Sequence, residues 1–241
     1  MLSAKPWQGE AVIQFCGVQL LCFLLGLTFA GLLQKAGFAA FQPPDGYGAV
    51  LLGTLGFQGA TWLLIPLFLR YHQIGWQSVF GFRAPQLTRI LLMTGGITLV
   101  ILLAAWGLQF ISGIVLTYIG WPPGEQVAVT LISGAKSWRM RVYLGVFAIV
   151  LAPVAEEFIF RGLLYPFIKQ LGYPRLALVG VSLAFALIHV DATTFVPLFV
   201  LALALTWLYE QTDTLLAPIA AHALFNAANL ALLLSELNSK P

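Results

Sequence analysis

Apolar runs close to membrane length recur along this sequence and leave few architectures open. They are Ala11–Leu33, Ala49–Leu69, Ile90–Ile111, Val142–Phe167, Leu176–Val190, Thr194–Tyr209 and Leu215–Leu234. A helix needs about 20 mainly apolar residues to cross the hydrocarbon core of a bilayer. Within that core each backbone N–H and C=O must be paired inside the protein, and an apolar run of that length does this by forming a helix. The expected fold class is therefore all-α, a polytopic transmembrane helical bundle of about seven spans. It becomes eight if the amphipathic stretch Gln126–Arg141 dips into the membrane. The third run can continue to Ile119, ahead of the break at Trp121-Pro122-Pro123, and the sixth is short for a span.

Composition agrees with the runs. Of the 241 residues, 60% are hydrophobic and 9% charged, against about 25% charged in soluble domains. The net charge of +3 is spread over loops, with no basic cluster interleaved with aromatics, so no nucleic-acid partner is expected. Cys16 and Cys22 lie about 9 Å apart along one helix axis and on diverging faces, too far for a mutual disulfide. The first run exceeds a signal-peptide core and has no clear cleavage site, so it reads as a retained span. Between the second and third runs, Trp76, Phe80, Phe82, Arg83 and Arg89 mix aromatics with cations as interfacial segments do. Gln42–Gly48 forms a turn, and Gln14, Gln19 and Gln58 are expected to face other helices. Positive charges divide six against five between the two sides, leaving the orientation open under the positive-inside rule.

The polar residues inside the apolar runs are few. Glu156 and Glu157 are the acidic pair, His189 and His222 the histidines, and Asn226 and Asn229 the amides, while His72 falls in the interfacial segment. Charge at such depth costs about 2.5 to 3.5 kcal/mol even on insertion scales and is kept mainly for function. On a helix Glu157 and Arg161 share a face and can pair, whereas Glu156 points about 100° away. That leaves Glu156 without a local partner, as suits a general base. Glu156 lies about 20 Å along its helix from Lys169, and His189 about 21 Å from Arg175, so the two are level. His222 lies about 13 Å from Asp213, near the same depth, with Asn226 one turn on. A carboxylate, two imidazoles and an amide in one layer suit hydrolysis: a base for water, an orienting partner, and donors for an oxyanion. Each also has a structural reading, as a helix cap, a satisfied core histidine or interhelical glue.

Glu156-Glu157-x-x-x-Arg161, Phe185-x-x-x-His189 and His222-x-x-x-Asn226, in this order on successive apolar helices, resemble the three motifs of the CAAX protease and bacteriocin-processing (CPBP) family. These are intramembrane glutamic endopeptidases that include the Ras-converting CAAX prenyl proteases. The resemblance covers Val142 to about Leu234, so 142–234 is expected to be the catalytic core and 1–141 to hold N-terminal spans and interfacial segments, within one membrane domain. It implies peptide hydrolysis in the membrane, with Glu156 and His189 activating water and His222 and Asn226 forming an oxyanion hole. Glu157, Arg161 and Phe185 would shape the site. The implied partners are a membrane-associated peptide or protein and the lipid bilayer. The expected location is an integral, multi-pass one, in the plasma (inner) membrane of a prokaryote-like cell.

Other readings of the same residues stay open. Glu and His can ligate zinc, although no His-Glu-x-x-His helix occurs and only two histidines are available, so no cofactor is the favoured expectation. A serine protease of rhomboid type lacks a Gly-x-Ser-x-Gly segment, and Ser182 has no base beside it in its helix. A bacteriocin-immunity or peptide-binding protein would need no catalysis, and a transporter could use buried Glu and His as a proton relay.

Overall fold

The computed structural model describes residues 2–42, 47–80, 87–121, 124, 126–135 and 137–239, and among them all regular structure is helical. Contacts divide the chain into one unit of Met1–Lys5 with Gln77–Pro241 and another of Pro6–Trp76.

The smaller unit is a helical hairpin. Its α1 is Gly9–Lys35. Its α2 runs without a break through Tyr47–Thr54, a π-helical turn Leu55–Gly59, and Ala60–Tyr71. Two glycines let these helices touch backbone to backbone: a Cβ on Gly26 would stand 2.7 Å from the Leu52 carbonyl oxygen, and one on Gly56 would stand 2.8 Å from that of Cys22. Small residues are the usual means of close approach where lipid cannot drive helices together. Gln19 fills the polar need of the π-turn, its Nε2–H donating to the Phe57 carbonyl at 2.7 Å and its Oε1 accepting from Thr61. Gln14, expected to face another helix, instead donates to Glu10 on α1 itself. His72 ends α2, accepting at Nε2 from the Gln8 N–H. The turn expected at Gln42–Gly48 lies largely outside the described residues, as do Phe82 and Arg83, Pro122 and Pro123. Of the interfacial segment, Trp76–Phe80 forms a short helix.

The larger unit holds α3 (Leu87–Tyr118), the short α4 (Val127–Gly134), α5 (Trp138–Gln170), α6 (Pro174–Leu187), α7 (Ala192–Thr212) and α8 (Leu216–Ser239). Long apolar α3 packs on α7 and α8, α6 packs on α7, and α8 packs along α5. Side-chain ties show α5 parallel to α7: Arg161 reaches Ala202 and Thr206, and further along Tyr165 and Lys169 reach Glu210. Among the described residues six helices, α1, α2, α3, α5, α7 and α8, are long and apolar enough to cross a membrane, and α6 is a shorter apolar helix. The chain is thus a multi-pass helical bundle.

Three boundaries differ from the sequence reading. Helix α5 starts at Trp138 rather than Val142, because the Ser137 side chain accepts from the Met140 N–H at 3.2 Å and caps it. The sixth span is less short than expected: Asp191 caps α7 so that it begins at Ala192, and the helix runs on to Thr212 before Asp213 turns left-handed. Helix α6 stops at Leu187, so His189 lies just beyond it rather than inside it. At 14 residues α6 is about 21 Å long, short of the roughly 30 Å hydrocarbon core.

Candidate active site

Helix α5 carries the two glutamates on a six-residue α-helical piece, Ala152–Glu157, set between π-helical turns Phe147–Leu151 and Phe158–Leu164. Pro153 accounts for the polar contact at the first of these. In the π-turn the Ala152 N–H bonds the Phe147 carbonyl, and the next bond of that series would run from residue 153 to Ala148. Proline has no N–H to give. The Ala148 carbonyl is taken instead by Nδ2–H of Asn226 on α8, at 2.8 Å.

At the other end, Glu157 and Arg161 are both fully buried and form the expected pair, Nη1–H donating to Oε1 at 2.8 Å. Arg161 has further acceptors on α7, the Ala202 carbonyl at 2.9 Å and the Thr206 hydroxyl at 3.4 Å. Its guanidinium also lies over the Phe185 ring, 4.7 Å from the centroid. A buried guanidinium is tolerable only with its donors matched, and α7 supplies what Glu157 does not. Glu157 Oε1 also accepts from His222 Nδ1 at 2.9 Å, while its Oε2 is buried without a hydrogen-bond partner among the described residues.

His222 therefore donates from Nδ1, and its Nε2 becomes a donor only when the ring carries both protons. Nε2 faces Glu156 Oε2 at 3.9 Å, beyond hydrogen-bond length. Glu156 is buried on the same piece of helix, yet has no hydrogen-bond donor within bonding distance among the described residues.

Phe185 joins the second histidine to the group. Its ring stands 5.6 Å from His222, 5.0 Å from His189 and 5.3 Å from Phe160. His189, only partly buried, donates from Nδ1 to the Phe185 carbonyl at 2.8 Å. In the neutral ring this leaves Nε2 as an acceptor.

Of the residues singled out in the sequence, Glu156, Glu157, Arg161, Phe185 and His222 are drawn together directly. His189 adjoins through Phe185, and Asn226 adjoins one turn from His222, with one of its two amide hydrogens committed to Ala148. Asn229 lies apart, accepting from Trp106 Nε1–H on α3 at 3.0 Å. The sequence reading did not single out Thr206, the Ala202 carbonyl or the Ala148 carbonyl. Only the last had a signal, Pro153 inside an apolar helix.

Residues 138–228 match the family model described as Type II CAAX prenyl endopeptidase Rce1-like. No curated protein and no solved structure gave a match. The matched residues begin at the first residue of α5, end on α8 just past Asn226, and contain every residue of the buried cluster. Through this segment the chain is similar to the CAAX protease family, in its Rce1-like branch.

Proposed function

We propose that this chain is an intramembrane endopeptidase of glutamic type that hydrolyses a peptide bond in a membrane-associated protein or peptide. Glu156 takes a proton from water, helped by Nε2 of His189, and the resulting hydroxide attacks the scissile carbonyl. His222, bearing both ring protons, and the uncommitted amide hydrogen of Asn226 receive the oxyanion. Collapse of the tetrahedral species expels the amine, which takes back the proton held by Glu156. Glu157 holds His222 and is itself held by Arg161, so these two set geometry rather than react.

The observation that carries this reading is the division of labour between adjacent carboxylates. Glu157 is committed to Arg161 and His222, whereas Glu156 is buried and uncommitted beside the same imidazole. A second support is the early end of α6. Irregular backbone at membrane depth is tolerated where it is buried in protein or lines a water-filled cavity, and the turn at residues 188–191 bears the half-buried His189. Water is the second substrate. We take the reaction as independent of metal, with Glu156 and His189 activating the water by themselves. The peptide substrate belongs to the CAAX type or to a prepeptide, and residues 142–234 form the catalytic core.

The test is cleavage of a peptide library, prenylated and unprenylated, by purified protein in detergent or vesicles, with and without a strong chelator. Cleavage unaffected by chelator is expected. Stoichiometric zinc lost together with activity would establish a metalloprotease instead, and tight peptide binding without cleavage would establish an immunity-type role.

A further inference from the structure

Between His189 and the start of α7 the chain passes through Val190, whose φ of 52° lies in the left-handed region. A β-branched residue is strongly disfavoured there, and such conformations persist only where the surroundings over-determine them. Packing of the side chain is no compensation, since Val190 is 89% exposed. The turn is held from both sides by hydrogen bonds. Towards α6, the Val190 N–H donates to the Leu187 carbonyl at 3.1 Å and the His189 N–H to the Ala186 carbonyl at 3.3 Å. Towards α7, the buried Asp191 carboxylate accepts from the Thr193 N–H at 3.0 Å and the Thr194 hydroxyl at 2.7 Å.

The consequence falls on the Phe185 carbonyl. In an uninterrupted α-helix it would receive the N–H of His189, four residues on. The tight turn diverts that N–H to Ala186, and the vacated carbonyl is filled by the imidazole Nδ1 of the same histidine, at 2.8 Å. Ring orientation and tautomer thus depend on the backbone of the two residues around it.

We propose that the left-handed turn at Val190, pinned by Asp191, is the positioning device of the site: it frees the Phe185 carbonyl so that His189 caps it through Nδ1 and presents a proton-free Nε2 to the reacting water. Val190 touches no substrate in this role, which rests on the reading of His189 as part of the water-activating pair. The side chain is dispensable and the backbone conformation is not.

Three substitutions and one spectrum separate the cases. Glycine and asparagine accept a left-handed backbone, so Val190→Gly and Val190→Asn should keep kcat within about threefold of wild type with an equal or higher Tm. Proline fixes φ near −65° and lacks the N–H, so Val190→Pro should lower kcat at least about 30-fold, a fraction of the 100-fold or more expected of general-base catalysis, with KM little changed. Nitrogen-15 spectra of the histidine rings at alkaline pH, assigned with His189→Gln, should place the proton of His189 on Nδ1 in wild type and in Val190→Gly. A proton on Nε2 in wild type overturns the proposal, and so does a folded Val190→Pro with wild-type kcat. Should Val190→Pro fail to fold, the ring spectra decide. They need no activity, so full cleavage by Glu156→Gln would remove Glu156 as the base and leave the positioning result standing.

Discussion

Replacing Glu157 by glutamine keeps the shape of the side chain and removes its charge, leaving Arg161 fully buried without its hydrogen-bonded counter-ion. Breaking a buried pair by neutralising one partner costs about 3 to 5 kcal/mol, because the other charge stays behind uncompensated. Arg161 retains the Ala202 carbonyl at 2.9 Å and the Thr206 hydroxyl at 3.4 Å, which favours the lower end, about 3 kcal/mol. For a chain of this size each kcal/mol moves Tm by about 2 to 4 °C, so a fall of about 6 to 12 °C is expected. The assay is thermal unfolding in detergent, followed by tryptophan emission. Activity should fall as well, since His222 loses the anionic acceptor of its Nδ1–H. Adding Arg161→Met should recover much of the lost stability, because two well-packed neutral side chains can replace a buried ion pair at little cost. A Tm for Glu157→Gln within about 2 °C of wild type would refute the reasoning that this pair is dry and structurally committed.

Two further expectations concern Asn226 and the ends of the helices. Losing an oxyanion donor typically costs about 100-fold to 1,000-fold in turnover, so Asn226→Ala should lower kcat far more than it raises KM, and its effect should combine less than multiplicatively with that of His222→Ala. A modest Tm loss should accompany it, since the Ala148 carbonyl would lose its 2.8 Å donor; a change confined to KM or Tm would make Asn226 a tie between α5 and α8 only. At the end of α7, burial pushes the Asp213 carboxyl up, but hydrogen bonds from Lys5 and Ser3 and the Lys5 charge outweigh it, so its pKa lies below the ordinary 3.8. A carboxyl whose folded value is depressed stabilises fully above the unfolded value and loses that contribution as pH falls through the folded one. Asp213→Asn should therefore lower Tm slightly at neutral pH and make no difference well below pH 3.8; a penalty that persists in acid would show that the Lys5 contact is not its cause.

The span pattern was legible because each apolar run is long enough that only a helix satisfies its backbone in lipid. The candidate site was legible in the polar residues that interrupt the runs: Glu157 and Arg161 pair as the four-residue spacing requires, and Glu156 is left without a hydrogen bond among the described residues. What the sequence hides is backbone register. The run Leu176–Val190 stays apolar past the point where α6 ends, so nothing marks His189 as lying in a turn, and Val190 belies it by being β-branched. The π-turns around Ala152–Glu157 are equally silent, apart from the orphaned carbonyl that Pro153 implies. Hydropathy also does not reveal which helices share a core, so the packing of α3 on α7 and α8 emerges only from the structure.

The most direct measurement is the cleavage rate of Glu156→Gln beside its Tm. Glu156 has no hydrogen bond to lose among the described residues, and its charged-group contact with His222 Nε2 is a long one, at 3.9 Å. Removal of a general base typically costs about 100-fold to 10,000-fold, so a loss of at least about 100-fold is predicted, with Tm within about 2 °C of wild type. Cleavage within about threefold of wild type, well short of that loss, would contradict the assignment of Glu156 as the base.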